Sequence, residues 1–280
     1  MKELFVANFP NRNICHIARK FAPTAAAAAV SASAPPPTNH SSQPKTAPTV
    51  KANHSLSVSI QDLGFGAPSH ACGGTIISAD AIITSATCAN RRHPKNMQVV
   101  VGDYNLNLQE GDEQIIEVSQ IIPHPEYSIY NMENDIAILK LSTPLEFNKY
   151  VQAIDLPPYT GFHASGECTM SGWGSSHSSD DNLTDILQKI LLPIITVSEC
   201  NALLYGDLGL TVSRKKVCAG YTTSGKNECI SDDGGPLTCL LNGRPYLAGV
   251  LSYDLGCFDN EYPGVYTDIE DYIEWIENNA

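Results

Sequence analysis

Cys229-Ile230-Ser231-Asp232-Asp233-Gly234-Gly235-Pro236-Leu237 is the stretch whose reading decides the fold, and it lies in a chain of short, punctuated apolar runs. Working outward, such runs occupy 56–60, 75–77, 81–84, 99–101, 136–139 and 246–251, split by Gly, Pro, Asn and Asp. Apolar runs of this length between turn residues predict strands, so the chain from about His54 onward reads as an all-β domain. One helix closes it. Ile269, Tyr272, Ile273 and Ile276 share a face of a predicted helix over 268–278, with Glu270, Asp271 and Glu274 pointing away. A second short helix is expected after Thr196, with Ser198 near its start and Leu203 and Leu204 inward. These elements fit two packed antiparallel barrels plus a C-terminal helix, and periodicity alone does not choose that over a sandwich.

A chain of 280 residues is long enough to bury a large core. Its formal net charge of −13 argues against nucleic acid as a partner and against a polybasic membrane contact, both of which need a positive field. The sequence holds no apolar run long enough for a transmembrane helix. Eight of the nine cysteines lie between 72 and 257, and Cys15 stands apart. With no CxxC pair, an even set in one domain suggests disulfides and an oxidising compartment rather than a zinc ribbon.

Residues 1–53 are read as a low-complexity segment with little structure, rich in Ala and then in Ser, Pro, Thr and Asn. Ala32-Ser33-Ala34 has the small-x-small form of a signal cleavage site, but alanine makes a weak apolar region and Pro35 follows directly. Asn39, Asn53 and Asn182 each open a glycosylation acceptor pattern, Asn182 within a polar loop. The eight histidines are scattered without metal-ligand spacing, so no metal and no cofactor are expected. The acidic loop with Asp103, Glu110, Asp112 and Glu113 is read as exposed surface, with calcium as the alternative.

Several runs resemble signature segments of the trypsin-like serine proteases. CISDDGGPL at 229–237 is similar to CxGDSGGPL, and TSATC at 84–88 to TAAHC. Cys72-Gly73-Gly74, Ser171-Gly172-Trp173-Gly174, the run around Asp135, Ser252-Tyr253 and Pro263-Gly264-Val265-Tyr266-Thr267 follow the family order. The resemblance covers 54–280 and implies two packed six-stranded antiparallel β-barrels with a C-terminal α-helix. It also implies disulfides Cys72–Cys88, Cys168–Cys239, Cys200–Cys218 and Cys229–Cys257. The wording at 264–267 and 272–276 is similar to mite digestive trypsins and their inactivated paralogues.

The same resemblance puts Thr87 where the general-base histidine belongs and Asp233 where the nucleophilic serine belongs, with Asp135 intact. Hydrolysis of this type needs a serine oxygen, a histidine to take its proton and an aspartate to orient the histidine. A threonine hydroxyl is no base near neutral pH. A carboxylate at Asp233 sets negative charge beside the backbone donors that should receive an oxyanion. Those donors are implied at Ser231 and Asp233, and Ser231 stands where the family has glycine. The specificity pocket is implied at Asn227 and Glu228, with walls from Ser252, Tyr253, Asp254, Gly264 and Tyr266. Asn227 offers an amide where trypsins carry an aspartate, and Asp254 should crowd a substrate strand. Drifted surface polarity is the favoured reading of both.

Active members are cut to release an Ile- or Val-led terminus that pairs with the aspartate before the nucleophile, here Asp232. No IVGG-like run occurs upstream. Ser59 and His70 resemble the latch of zymogens, so a Ser59–His70–Asp232 cluster is expected to hold a zymogen-like state. The implied function is binding. The expected chain is an inactive, monomeric, secreted homologue whose partner is a protease, a zymogen or a defence-cascade component. The competing expectation is an endopeptidase with residual or altered hydrolysis.

Overall fold

The computed structural model describes residues 55–64, 66–90, 92–174, 185–221, 232–254 and 262–280. The segment 1–53, the acceptor Asn182, and Asn227, Glu228, Cys229, Ser231 and Cys257 lie outside the described residues.

Twelve strands among the described residues close into two six-stranded antiparallel barrels. The first is built from β1 (Ser57–Asp62), β2 (Ser69–Ile76), β3 (Ala81–Thr84), β4 (Met97–Val101), β5 (Gln114–Pro123) and β6 (Ala137–Leu141), in the order β1-β2-β3-β6-β5-β4. The second uses β7 (Glu167–Gly172), β8 (Gln188–Ile195), β9 (Lys216–Ala219), β10 (Pro236–Leu241), β11 (Arg244–Asp254) and β12 (Gly264–Asp268), in the order β10-β11-β12-β9-β8-β7.

Strand β3 explains why the runs read as apolar on both faces. Successive side chains alternate across a strand. Ile82 therefore joins Val58, Ile60 and Leu139 inside the first barrel, while Ile83 faces the second barrel with Ile138, Leu247 and Val250. Each fully buried Ile or Val contributes on the order of 1.5–3 kcal/mol, so the seam between the barrels is a core in its own right. Ile269, Tyr272 and Ile276 from the C-terminal segment complete it.

That C-terminal segment corrects one expectation. It is a short 3₁₀ turn over Ile269–Tyr272 followed by an α-helix, Ile273–Asn279, rather than one helix from 268. A 3₁₀ turn advances three residues per turn instead of 3.6, so the positions do not follow an α-helical wheel. Glu270, predicted to point away, is only 3% exposed, while Asp271 and Glu274 do face solvent. The helix expected after Thr196 is present as Val197–Leu208. Thr196 and Glu199 cap it reciprocally: Glu199 N–H donates to Thr196 Oγ1 at 3.1 Å, and Thr196 N–H to Glu199 Oε2 at 2.9 Å. Leu204 is buried beneath it.

Three of the four implied disulfides are formed, Cys72–Cys88, Cys168–Cys239 and Cys200–Cys218. The fourth falls on residues outside the described set. One close approach joins the barrels at the deciding run. Gly73 N–H donates to the Asp233 carbonyl at 2.9 Å, and a Cβ on Gly73 would meet Gly235 Cα at 2.7 Å. Gly234, at φ +83°, would set a Cβ 2.1 Å from Thr84 Oγ1. No other residue type fits that turn without displacing β2 or β3.

Candidate functional site at the seam between the barrels

Asp135 lies two residues before β6 and is fully buried. Its carboxylate accepts three hydrogen bonds: from Thr87 N–H at 2.7 Å, from Thr87 Oγ1 at 2.9 Å and from Ser252 Oγ at 2.6 Å. Thr87 is carried by a single helical turn, Ala86–Ala89, capped by Ser85. Its one hydroxyl proton goes to Asp135, and the Tyr127 hydroxyl, 2.9 Å away, donates to the oxygen. The threonine hydroxyl is thereby used on both sides. Neither it nor any other described partner of Asp135 offers an imidazole.

Behind Ser252 lies a residue that the sequence reading missed. Lys216 in β9 is 2% exposed. Its ammonium donates to Ser252 Oγ at 3.0 Å and to Thr267 Oγ1 at 3.2 Å. Ser252 then donates to the Asp135 carboxylate and Thr267 to the Asp135 carbonyl, at 2.8 Å. Two hydroxyls thus relay a cation to a buried anion. Burial pushes the Asp135 carboxyl up, opposed by Lys216 and the three donors. Burial lowers Lys216 to about 8, opposed by Asp135. Lys216 and Ser252 sit at hydrogen-bond distance like a base and a nucleophile, but Ser252 is fully buried. The sequence carries no signal for it, since Lys216 opens β9 and its burial comes only with barrel closure.

Asp233 lies half-buried in the turn that Gly73 holds. Among the described residues its carboxyl makes no hydrogen bond. Burial raises it to about 7, and the negative charges of Asp135, Asp232 and Asp254 push the same way against Arg92. The group is therefore partly protonated at neutral pH, in a neighbourhood that is electrostatically negative. Of the implied pocket walls, Ser252 and Tyr266 are fully buried and the Tyr266 hydroxyl meets Met170 Sδ at 3.0 Å. Asp254, at the end of β11, pairs with Gly264 and is half-buried. Burial raises the neighbouring Tyr253 to about 12.

Ser59, His70 and Asp232 come together. Ser59 Oγ lies 2.8 Å from His70 Nδ1, and His70 Nε2–H donates to Asp232 Oδ1 at 2.8 Å. The His70 and Asp232 side chains are 3% and 2% exposed. Trp173 N–H donates to the other Asp232 oxygen at 3.0 Å, and the indole ring lies against the imidazole. Burial alone would depress the His70 imidazole, but the adjoining Asp232 charge outweighs it and holds the pKa above the ordinary histidine value.

In the acidic loop, Glu113 is turned onto its own backbone, accepting from Glu110 N–H and Gly111 N–H, each at 2.7 Å. Asp103 is buried with Oδ1 lacking a partner, and burial raises it to about 6. Among the described residues these acids do not converge as a set of three donors.

The family profile described as Trypsin matches residues 44–276. The chain is 38% identical to anionic trypsin of Bos taurus over 208 residues, covering 74% of this chain and 79% of that protein. It is 39% identical to a trypsin of Xenopus laevis over 210 residues, covering 75% and 81%. Trypsin-1 of Astacus astacus is 37% identical over 227 residues, 80% of this chain and 93% of the relative.

Proposed function

The chain belongs to the trypsin family, and from that premise we propose that it has lost peptide hydrolysis and acts by binding another protein. The observation that carries this reading is the double hydrogen bond of Thr87 to Asp135. The backbone and hydroxyl of one short side chain occupy the aspartate that would otherwise orient an imidazole. The carboxyl at Asp233, pushed up to about 7 by burial, adds no nucleophile that Thr87 can activate.

The Ser59–His70–Asp232 cluster supports a second element of the proposal. With Asp232 bonded to His70 and Trp173, the aspartate that a new N-terminus would claim is already paired. A new N-terminus could reach Asp232 only by displacing His70 from Oδ1. The protein is thus held in a zymogen-like arrangement. Disulfide pairing supports an extracellular setting, where the partner is a protease, a zymogen or a defence-cascade component. The names of the relatives favour a second reading, an endopeptidase with residual hydrolysis.

A cross-linked pull-down from native extracellular fluid, with the folded full-length chain as bait, tests the binding role. Saturable recovery of a protease or zymogen supports it. Recovery of nothing above a bait-free control overturns it.

A further inference from the structure

Away from the seam, the 3₁₀ turn after β12 buries a carboxylate that the fold leaves half-served. Glu270 is 3% exposed, and its Oε2 has no hydrogen-bond partner. Its Oε1 meets His163 Nδ1 at 2.6 Å. Asp268, 7% exposed, closes the group, and donor atoms from His163, Asp268 and Glu270 all lie within 4.8 Å of one another. An unpaired buried carboxylate oxygen is costly. A His163–Glu270 ion pair relieves only one of the two oxygens.

The site is also built rather than accidental. Phe162, next to His163, stacks edge-on against Tyr246 at 5.4 Å and against Tyr159 at 5.6 Å. The backbone that carries the imidazole is therefore pinned to the second barrel. The Asp268 backbone is fixed by its N–H to the Lys215 carbonyl at 3.0 Å. The Asp268 side chain faces the same turn, its carboxylate accepting from Glu270 N–H at 3.4 Å. His163 is 80% exposed on its side chain, leaving the outer face open to water.

We propose that His163, Asp268 and Glu270 form a binding site for a borderline divalent transition metal, with Zn²⁺ as the physiological ion. One imidazole nitrogen and two carboxylates suit Zn²⁺. The nitrogen disfavours Ca²⁺ and Mg²⁺, which take oxygen ligands. Glu270 Oε2 gains the partner that it lacks, and water completes the open fourth position. The ion ties the 159–163 segment to the start of the C-terminal helix, so its role is that of a structural clip rather than a catalyst. This inference is independent of whether the seam site hydrolyses peptides.

The test uses the full-length chain stripped with a chelator and titrated with zinc sulfate, read by calorimetry and thermal melting, with Co²⁺ as a spectroscopic probe. The expected result is one saturable site that raises Tm by about 5 °C at 100-fold excess over Kd, with visible d–d bands when Co²⁺ is bound. His163→Ala, on an exposed side chain, keeps the far-UV spectrum and weakens the site at least about tenfold. Glu270→Gln, which keeps the shape but removes the charge, does the same. Absence of saturable binding overturns the proposal, as does binding unchanged in His163→Ala or in Glu270→Gln.

Discussion

Two buried aspartates at the seam, Asp135 and Asp232, are stabilised in opposite ways. Asp232 keeps an imidazole: His70 lies 2.8 Å away and is itself backed by Ser59. Asp135 is held by Thr87, Ser252 and, one hydroxyl further, Lys216. A buried carboxylate must be hydrogen-bonded and charge-balanced wherever it sits. The first arrangement does this with a titratable ring in direct contact, the second with hydroxyls and a remote ammonium. The difference teaches that a buried carboxylate can be satisfied by hydroxyls and a remote ammonium as well as by a ring in direct contact. A trypsin-family scaffold can therefore bury an aspartate at this seam with no imidazole against it.

The contrast breaks most readily at His70. Replacing it by Ala leaves Asp232 buried with only the Trp173 amide and should cost about 3–5 kcal/mol in urea unfolding. Lys216→Met probes the other aspartate. Removing the remote ammonium should cost about 2–4 kcal/mol, and adding Asp135→Asn should recover most of that loss in a double-mutant cycle. A Lys216→Met variant as stable as the parent would show that the hydroxyls alone suffice.

Asp233 sharpens the comparison through pH. Its folded value of about 7 lies above the ordinary 3.8, so the folded state binds the extra proton more tightly than the unfolded chain. Its contribution is therefore fully present below about pH 4 and is lost as pH rises through 7. Asp103, raised to about 6, and Asp268, raised to about 7, act with the same sign. Tm should fall between pH 5 and pH 8. Asp233→Asn should flatten part of that slope and stabilise the protein at pH 8 by about 1 kcal/mol, after discount for partial exposure. A slope unchanged by that substitution would remove Asp233 from the account. The smallest expected effect belongs to Thr87→His with Asp233→Ser, which should give no measurable turnover of arginyl or lysyl peptides. The paired Asp232 still stands in the way. Robust turnover in that variant would show that the His70 cluster does not hold the site closed.

The fold was legible because its decisive features are local in sequence. CISDDGGPL, TSATC and the cysteine framework each carry their own spacing, and six of the eight framework cysteines pair as that framework implies. The Ser59–His70–Asp232 contact was also readable, through the resemblance of Ser59 and His70 to a zymogen latch. Lys216 was not, because its partners Asp135, Ser252 and Thr267 are brought to it only by barrel closure. Glu270 escaped for a different reason. Its position on an α-helical wheel points outward, and only the 3₁₀ turn over Ile269–Tyr272 carries it inside.

The central claim is that the seam holds no activated serine. The direct measurement is exposure of the folded, full-length protein to a serine-directed fluorophosphonate, with active trypsin as control and intact mass as readout. The account predicts no mass addition under conditions that label the control to completion. Stoichiometric labelling of a single serine in the 229–237 run or in β11 would contradict it.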